Sequence, residues 1–449
     1  MVVWKVYTKS KILVGGVETI VALASSRGRA GVSVIRISGP LAFAVGARLF
    51  GRVPAPGTIK KKKIMSGSGD LIDSALVSSF KSPRSYTGED VVELFCHGNP
   101  LLVEMVIDGA LEAGARHAEP GEFTKRAFLN DKMDLAQAEF VADLISAQTK
   151  KAVLAASNSL SGAFSKEIDG LIDGLTSARV WVEANLDFSD EDVDELDVGR
   201  LKSSLAKISQ ALSVSLLNSK EGSRLNSGVV VAIVGKPNVG KSTLLNSLAK
   251  NNLAIVSDTP GTTRDLVRAQ LDLRGYPVEF VDTAGIRKKS KDKVEMMGMR
   301  LAKEFARKAD LVINLAEVGG EFEVDRGWQK EVKVFNKIDV ADSGALGGVL
   351  GISAKNQTGL DLLVDKIFDC LDISDLGENQ TLARSRHVEL LKNVKGFVEE
   401  ALVSLSEGAS LELVADSLQM AQKEAGEITR PVSSDDLLGN IFSSFCIGK

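Results

Sequence analysis

The sequence predicts a multidomain chain of 449 residues. It comprises an N-terminal mixed α/β domain, an all-α helical domain, and an α/β domain inserted into the helices. Three observations carry this. Short β-type runs broken by Gly and Ser loops come first. Apolar residues then recur at helical spacing from Leu135 to Phe188, and helical spacing resumes from Val388. Between those blocks, apolar strands alternate with helical stretches, the pattern of a doubly wound parallel sheet. Because inserted domains enter where chain ends lie close together, the boundaries are expected at 18–133, 134–226, 227–373 and 374–449, the second and fourth segments forming one helical domain.

In the first segment Ile20 to Leu23 and Val32 to Ile37 read as strands around the loop Ser25 to Gly31. Leu41 to Phe50 reads as a helix, and Ser74 to Phe80 and Asp90 to Phe95 as further strands. Asn99 and Pro100 supply an N-cap and a first-turn proline for a helix that Gly114 can end. In the helical block Leu135, Phe140, Leu144, Ile168, Leu171, Leu175 and Val182 follow helical rather than alternating spacing. The inserted segment carries strands at Val229 to Val234, Val278 to Asp282, Asp310 to Ala316, Glu331 to Phe335 and Val349 to Ile352. Its last helix, Leu360 to Leu371, has Leu363, Val364 and Ile367 on one side. Only Glu317 to Lys330 separates two of the strands, so the helix expected there is truncated.

Composition narrows the class. A hydrophobic content of 44% with 25% charged residues describes a soluble globular protein. Lys and Arg (55) nearly balance Asp and Glu (59), a net charge of −4, so any RNA contact is expected to be local or made with a partner. No basic patch stands out in the flanking segments. Cys96, Cys370 and Cys446 lie far apart, as do His97, His117 and His387, which excludes a disulfide framework and a zinc-ligand spacing and points to a reducing, cytoplasmic compartment. No apolar stretch is long enough to span a bilayer. The first 17 residues make a poor signal sequence and read as a short extension.

The chemistry is legible in the inserted segment. Gly235-Lys-Pro-Asn-Val-Gly-Lys-Ser242 spells G-x-x-x-x-G-K-S between a strand and a helix. Its backbone N–H groups can cradle phosphates at a helix N-terminus, with Lys241 on the β- and γ-phosphate oxygens and Ser242 on Mg²⁺. Asp282-Thr283-Ala284-Gly285 ends a strand, where Asp282 can hold Mg²⁺ through water and the Gly285 N–H can sense the γ-phosphate. Asn336-Lys337-Ile338-Asp339 ends another. Asp339 can accept from the N–H groups on guanine's N1 and N2 edge, which adenine lacks, while the Lys337 stem covers the ring. Ser353-Ala354-Lys355 offers a backbone N–H to the guanine carbonyl. Gly261-Thr-Thr-Arg-Asp265 sits where a first switch belongs, with Thr263 a second Mg²⁺ ligand. The expected fold is therefore a Ras-like P-loop GTPase domain. Its GTP site draws on Asn238, Val239, Gly240, Lys241, Ser242 and Thr243, on Thr262 and Thr263, and on the three strand-end motifs. Ile286 follows D-T-A-G and cannot hydrogen-bond water, so the attacking water needs another guide.

The phosphate loop with Asn238, G-T-T-R-D, D-T-A-G-I-R, N-K-I-D, the flanking helices and the terminal Phe445-Cys-Ile-Gly-Lys449 resemble the tRNA-modification GTPase family MnmE, also called TrmE, from about Glu18 to Lys449. The resemblance implies a K⁺ ion in place of an arginine finger as G domains dimerise, at positions matching Asn238, Ser257, Thr259 and Thr262. A monovalent cation there supplies the charge that a guanidinium would. It implies that Glu295 orients water. It assigns Arg36, Glu93, Lys132 and Lys449 to 5-formyltetrahydrofolate or a related tetrahydrofolate, an assignment that fits a ligand with a pterin edge and a glutamate tail. It makes Cys446 a candidate functional thiol.

The family implied is a homodimeric GTP hydrolase that acts with the flavoprotein MnmG on tRNA. It installs a carboxymethylaminomethyl or aminomethyl group on carbon 5 of the wobble uridine. The rival reading is a ribosome-assembly or signalling GTPase switch, which needs an RNA-binding module that these residues do not spell.

Overall fold

The computed structural model describes residues 18–66, 69–187, 195–251, 253–254, 267–282, 303–340, 346–373, 380–431, 435–443 and 445–449. These fall into two compact units, 1–142 with 429–449 and 143–428.

The first unit is built on a six-stranded sheet in the order β3-β4-β5-β2-β1-β6. The strands are β1 (Ile20–Leu23), β2 (Ala30–Ser38), β3 (Ile59–Met65), β4 (Leu71–Phe80), β5 (Val91–Gly98) and β6 (Arg116–His117). All neighbours pair antiparallel except β1 and β6. Helices α1 (Ala42–Phe50) and α2 (Pro100–Glu112) cover one face and enclose a core of Val21, Ile35, Ile37, Val45, Val77, Leu94 and Val106. The Asn99 side chain accepts from the Leu101 N–H, so the cap read from sequence forms. Sequence patterning missed β3. Its Lys60-Lys61-Lys62-Lys63 run leaves Ile64 as the one buried residue of the strand, so no apolar alternation shows. That run is also a basic patch, contrary to the expectation that the flanking segments hold none.

The other face carries α3 (Glu122–Leu129) and a ladder of buried charge. Glu122 receives both Arg116 terminal nitrogens at 2.8 and 2.7 Å, Arg126 at 2.8 Å and the Glu119 N–H at 2.9 Å. Arg126 continues to Glu89 at 3.1 Å, and Glu89 accepts from the Ser38 hydroxyl at 2.7 Å. Burial pushes the Glu122 carboxyl up, but these donors outweigh it and hold it at about 2. Helices α4 (Leu135–Ser146) and α12 (Asp435–Ser443) add a smaller core, in which Leu135 and Ala138 meet Leu438, Ile441, Phe442 and Phe445.

The second unit holds the sheet β13-β12-β11-β7-β10-β9-β8. Strands β7 (Val229–Val234), β10 (Tyr276–Asp282), β11 (Leu311–Glu317), β12 (Glu331–Asn336) and β13 (Leu350–Gly351) are parallel. Strands β9 (Val267–Leu273) and β8 (Leu253–Ala254) extend the edge antiparallel. Helices α8 (Lys241–Asn251) and α9 (Leu360–Leu371) flank it, and α9 buries Leu363, Val364 and Ile367 as its spacing predicts. Between β11 and β12 the helix expected to be short is absent. Asn314 receives the Glu323 N–H and donates to the Glu323 carbonyl and to Glu331, fixing an irregular crossing instead.

Helices α5 (Lys150–Leu160), α6 (Ala163–Asp187), α7 (Glu195–Ser227), α10 (Ser385–Ser406) and α11 (Leu411–Thr429) come from both sides of the inserted sheet in sequence. Helices α7 and α10 pack together, so the two helical blocks form one bundle. Gly222 on α7 lets the segment just before α10 pass close, since a Cβ there would lie 2.3 Å from the Thr381 carbonyl. The Arg384 guanidinium binds Asp143 at 2.7 Å and so ties α10 to the first helical block.

Glu122→Gln leaves two arginines facing a neutral group and is expected to destabilise the first unit by about 3 kcal/mol. The Glu122 carboxyl lies below its ordinary 4.5, so its contribution is complete above pH 4.5 and is lost as pH falls toward 2. Protection factors of the β1 and α3 amides, which correct exchange for its intrinsic pH dependence, should fall from pH 6 to pH 3 in the wild type and change far less in the variant.

Candidate functional site

The phosphate loop runs from the end of β7 to the start of α8. Gly235 and Gly240 have φ of 147° and 99°, and Asn238 sits at 66°, so three left-handed residues curl eight residues of backbone. Side chains are excluded at both glycines. A Cβ on Gly235 would lie 2.2 Å from the Leu315 carbonyl, and one on Gly240 2.3 Å from Asn336 Nδ2. Lys241 is buried, and its Nζ donates to the Gly235 and Lys236 carbonyls at 2.5 and 2.8 Å, which holds the ammonium inside the curl. Val239 is buried beneath the loop.

Two further contacts join this loop to neighbouring strand ends. The Ser242 hydroxyl donates to Asp282 Oδ2 at 2.8 Å. A hydroxyl and a carboxylate at one point are the hard oxygen donors that suit Mg²⁺. Asn336 donates from Nδ2 to the Val239 carbonyl at 2.8 Å and accepts the Ala354 N–H on Oδ1 at 2.9 Å. One side chain thereby joins the phosphate loop, the N-K-I-D turn and the Ser353-Ala354-Lys355 loop. The Ser353 hydroxyl donates to Asp339 Oδ1 at 2.6 Å, and this bond holds the carboxyl below its ordinary value, ionised and accepting at neutral pH. Lys337 adopts φ 65°, and its ammonium pairs with Glu317 at the end of β11. The Ser247 hydroxyl on α8 donates to the Ala354 carbonyl at 2.6 Å and closes the frame from below.

Of the expected nucleotide residues the structure brings together Asn238 to Thr243, Asp282, Asn336, Lys337, Asp339, Ser353 and Ala354, with Lys355 next in the chain. Ser257, Thr259, Thr262, Thr263, Thr283, Ala284, Gly285, Ile286 and Glu295 lie outside the described residues.

In the first unit Arg36 and Glu93 occupy paired positions on β2 and β5, and Arg36 Nε donates to Glu93 Oε1 at 2.7 Å. The guanidinium sits 5.0 Å from the Tyr86 ring centre and 5.5 Å from that of Phe123. Burial raises the Tyr86 phenol against the lowering effect of its bond with Thr124. Lys132 is exposed, and its Nζ donates to the Pro83 carbonyl at 3.1 Å and not to the Arg36–Glu93 pair. Lys449 reaches this region through its backbone, since its carbonyl accepts the Phe123 N–H at 3.1 Å.

The tail is locked beside it. Ile447 bridges Pro120, and the Gly121 N–H donates to the Cys446 carbonyl at 3.4 Å. Gly448 has φ 95°, and a Cβ there would lie 2.0 Å from the Leu23 carbonyl. Cys446 is exposed. A cavity of about 630 Å³ opens next to the tail, lined by Ala22, Arg27, Glu104, Asp108, His117 and Ile447 among others. Sequence reasoning missed Tyr86 and Phe123, because aromatic residues in apolar runs carry no signal until a charge is found above them. It missed Arg27, Glu104, Asp108 and His117 because they come from three separate elements.

Residues 135–446 match the model of the MnmE helical domain, and residues 19–132 match that of the GTP-binding protein TrmE N-terminus. The tRNA modification GTPase MnmE of Neisseria meningitidis serogroup C (strain 053442) is 43% identical over 448 residues, covering 96% of this chain and 99% of its own. The protein of that name in Pseudomonas syringae pv. syringae (strain B728a) is 40% identical with the same coverage. The chain belongs to the MnmE family of tRNA modification GTPases. Among solved structures, the cytosolic domain of the T. maritima FeoB iron transporter in its GDP form II aligns with 45% of this chain and 98% of its own. That alignment has 19% identity and a TM-score of 0.24, too distant to bear on function. No helix among the described residues is long and apolar enough to cross a membrane.

Gly448→Ala places a methyl group against the Leu23 carbonyl and should release the tail. Amide exchange at Phe123 is expected to rise at least roughly tenfold, the equivalent of about 1.4 kcal/mol of local opening. Unchanged protection at Phe123 would count against this locking of the tail.

Proposed function

We propose that this chain binds and hydrolyses GTP to drive modification of carbon 5 of the wobble uridine in tRNA, together with the flavoprotein MnmG. The observation that carries the reading is Asn336 joining the phosphate loop to the base loops, with Asp339 held ionised beside them, where it can accept from the N–H groups of a guanine edge. In this reading Lys241 and the loop N–H groups neutralise the γ-phosphate as charge builds on it. Asn336 keeps the base and phosphate subsites at fixed separation, so binding energy from the base aligns the reacting phosphate.

Ser242 and Asp282 fit Mg²⁺, with Thr263 completing the set, and the ion would neutralise charge on the β- and γ-oxygens. Asn238, Ser257, Thr259 and Thr262 hold K⁺ when two G domains face one another in a homodimer. Glu295 orients the attacking water, a task Ile286 cannot perform. The assignment of these residues follows the family resemblance, and the loop geometry around Asn238 supports it. The four-segment organisation at 18–133, 134–226, 227–373 and 374–449 belongs to the same reading.

Arg36, Glu93, Lys132 and Lys449 serve a tetrahydrofolate that carries the one-carbon unit. The Arg36–Glu93 pair between Tyr86 and Phe123 supports a flat heterocycle with a hydrogen-bonding edge, and the cavity beside the tail is of the size that small-molecule sites take. Cys446 is accessible there as a thiol. Compartment follows from the reading, since tRNA modification with a folate is cytoplasmic work.

Two measurements test this. GTP turnover by the full chain should be at least roughly tenfold faster in KCl than in NaCl of equal ionic strength, a difference of about 1.4 kcal/mol in barrier. Equal rates would remove the potassium role from Asn238. In a strain lacking the gene, wild-type protein should restore the modified wobble uridine in hydrolysed tRNA, whereas Asp339→Asn should not. Wobble uridines unchanged by the deletion would sink the modification reading.

A further inference from the structure

The first unit carries a concentration of positive charge that the nucleotide and folate sites do not use. Between Leu41 and Gly69 the chain has six cations, Arg48, Arg52, Lys60, Lys61, Lys62 and Lys63, and no acidic residue, although the whole chain is net negative at −4. None of the six has an ion-pair or hydrogen-bond partner through its side chain among the described residues. The four lysines form most of β3, the edge strand of the sheet, and α1 packs against that strand with Arg48 in its last turn.

Register decides where the charges point. Lys60 and Lys62 pair with the buried Val77 and Ala75, so they flank the core and extend past its rim. Lys61 and Lys63 pair with Leu76 and Ser74 on the open face. Successive lysines on one face therefore repeat every two residues, about 6.7 Å. That interval is comparable to the spacing of successive phosphates along a nucleic-acid strand. Asp73, opposite Ile64, is the nearest carboxylate in register. It is committed to the His97 ring at 2.8 Å and to the His97 and Ser74 N–H groups, which hold it below its ordinary value against the raising effect of burial.

Lysines on an exposed edge also discourage strand-to-strand pairing. One or two would serve that purpose, and the cations at the end of α1 contribute nothing to it. A second copy of this chain docked along β3 would oppose four lysines to four lysines, a repulsive arrangement.

We propose that the β3 edge, with the C-terminal end of α1, binds the sugar-phosphate backbone of tRNA. This rests on the reading that the protein acts on tRNA, and it assigns to the N-terminal unit a share of substrate binding that is independent of nucleotide and folate. Contacts of this kind position a substrate without reading its sequence, so they suit an enzyme that accepts several tRNAs.

The test compares full-length wild type with a variant carrying Lys60→Gln, Lys61→Gln, Lys62→Gln and Lys63→Gln. Binding to purified bulk tRNA is measured by fluorescence anisotropy from 50 to 200 mM KCl. The wild type should bind with a steep salt dependence, and the variant at least roughly tenfold more weakly, with a log–log salt slope shallower by about 3 for four lost phosphate contacts. Replacing the same four residues by Arg should restore both, because charge rather than side-chain identity is at work. GTP turnover and melting temperature should stay at wild-type values, as should tRNA affinity in a control carrying Lys366→Gln and Lys392→Gln.

Unchanged affinity and slope in the folded Gln variant would overturn the proposal and leave the lysines as guards of the edge. A variant that keeps tRNA but loses binding to vesicles of anionic phospholipid would overturn it in favour of a membrane surface. A wild type that binds no tRNA, alone at 50 mM KCl, overturns the surface proposal. If wobble uridines also fail to depend on the gene, the functional reading falls with it, and if they do depend on it, only the surface proposal falls.

Discussion

The nucleotide site depends on one buried amide. Asn336 is 2% exposed and spends its side chain on two backbone groups belonging to different loops, the Val239 carbonyl and the Ala354 N–H. Each bond is worth only about 1 kcal/mol net, but leaving either buried partner unmade would cost about 1–3 kcal/mol. The penalty for misplacement therefore exceeds the gain from correct placement, and the three loops move as one frame. Gly240 belongs to the same constraint, since no side chain can stand between the phosphate loop and that amide. The turn that carries Asp339 and the loop that carries Lys241 are thereby coupled through a few atoms of one side chain.

The first unit solves a comparable problem with charge. Glu18, Arg116, Glu122, Arg126 and Glu89 form a ladder that runs from the edge of the sheet to Ser38 on β2. It is satisfied at every described step, and α3 is thereby set against the sheet with Phe123 under the Arg36 guanidinium. The C-terminal tail then docks on the backbone of Gly121 and Phe123. Backbone contacts and a glycine-only approach at Gly448 fix the tail with little dependence on its side chains, so Cys446 stays exposed beside a cavity.

Much of this was legible in sequence where local rules decide the outcome. The G-x-x-x-x-G-K-S loop, the strands before D-T-A-G and N-K-I-D, the Asn99 cap and the α9 face all follow from spacing and turn chemistry. So does the interruption of one helical bundle by an α/β insert. The misses share a cause. Strand β3 was hidden because its lysines are tolerated only at a sheet edge, and edges are assigned by the order of strands, not by any one strand. The crossing after Glu317 was read as a short helix because its length allows one. The structure gives its polar groups to Asn314 instead, a residue inside a buried strand whose side chain looks like a defect until the loop covers it.

The sequence by itself determined which chemistry to expect, because the motifs proposed for phosphate, guanine and metal recognition are short and contiguous, with a geometry set within a few residues. Tertiary structure alone decided how those motifs are held and what surrounds them. Arg36 and Glu93 meet because β2 and β5 pair in one register, Lys449 reaches Phe123 because α12 folds back onto α4, and four lysines become a surface because β3 has no outer neighbour among the described strands. Each is a contact across tens to hundreds of residues, fixed by packing and register, which no local pattern encodes.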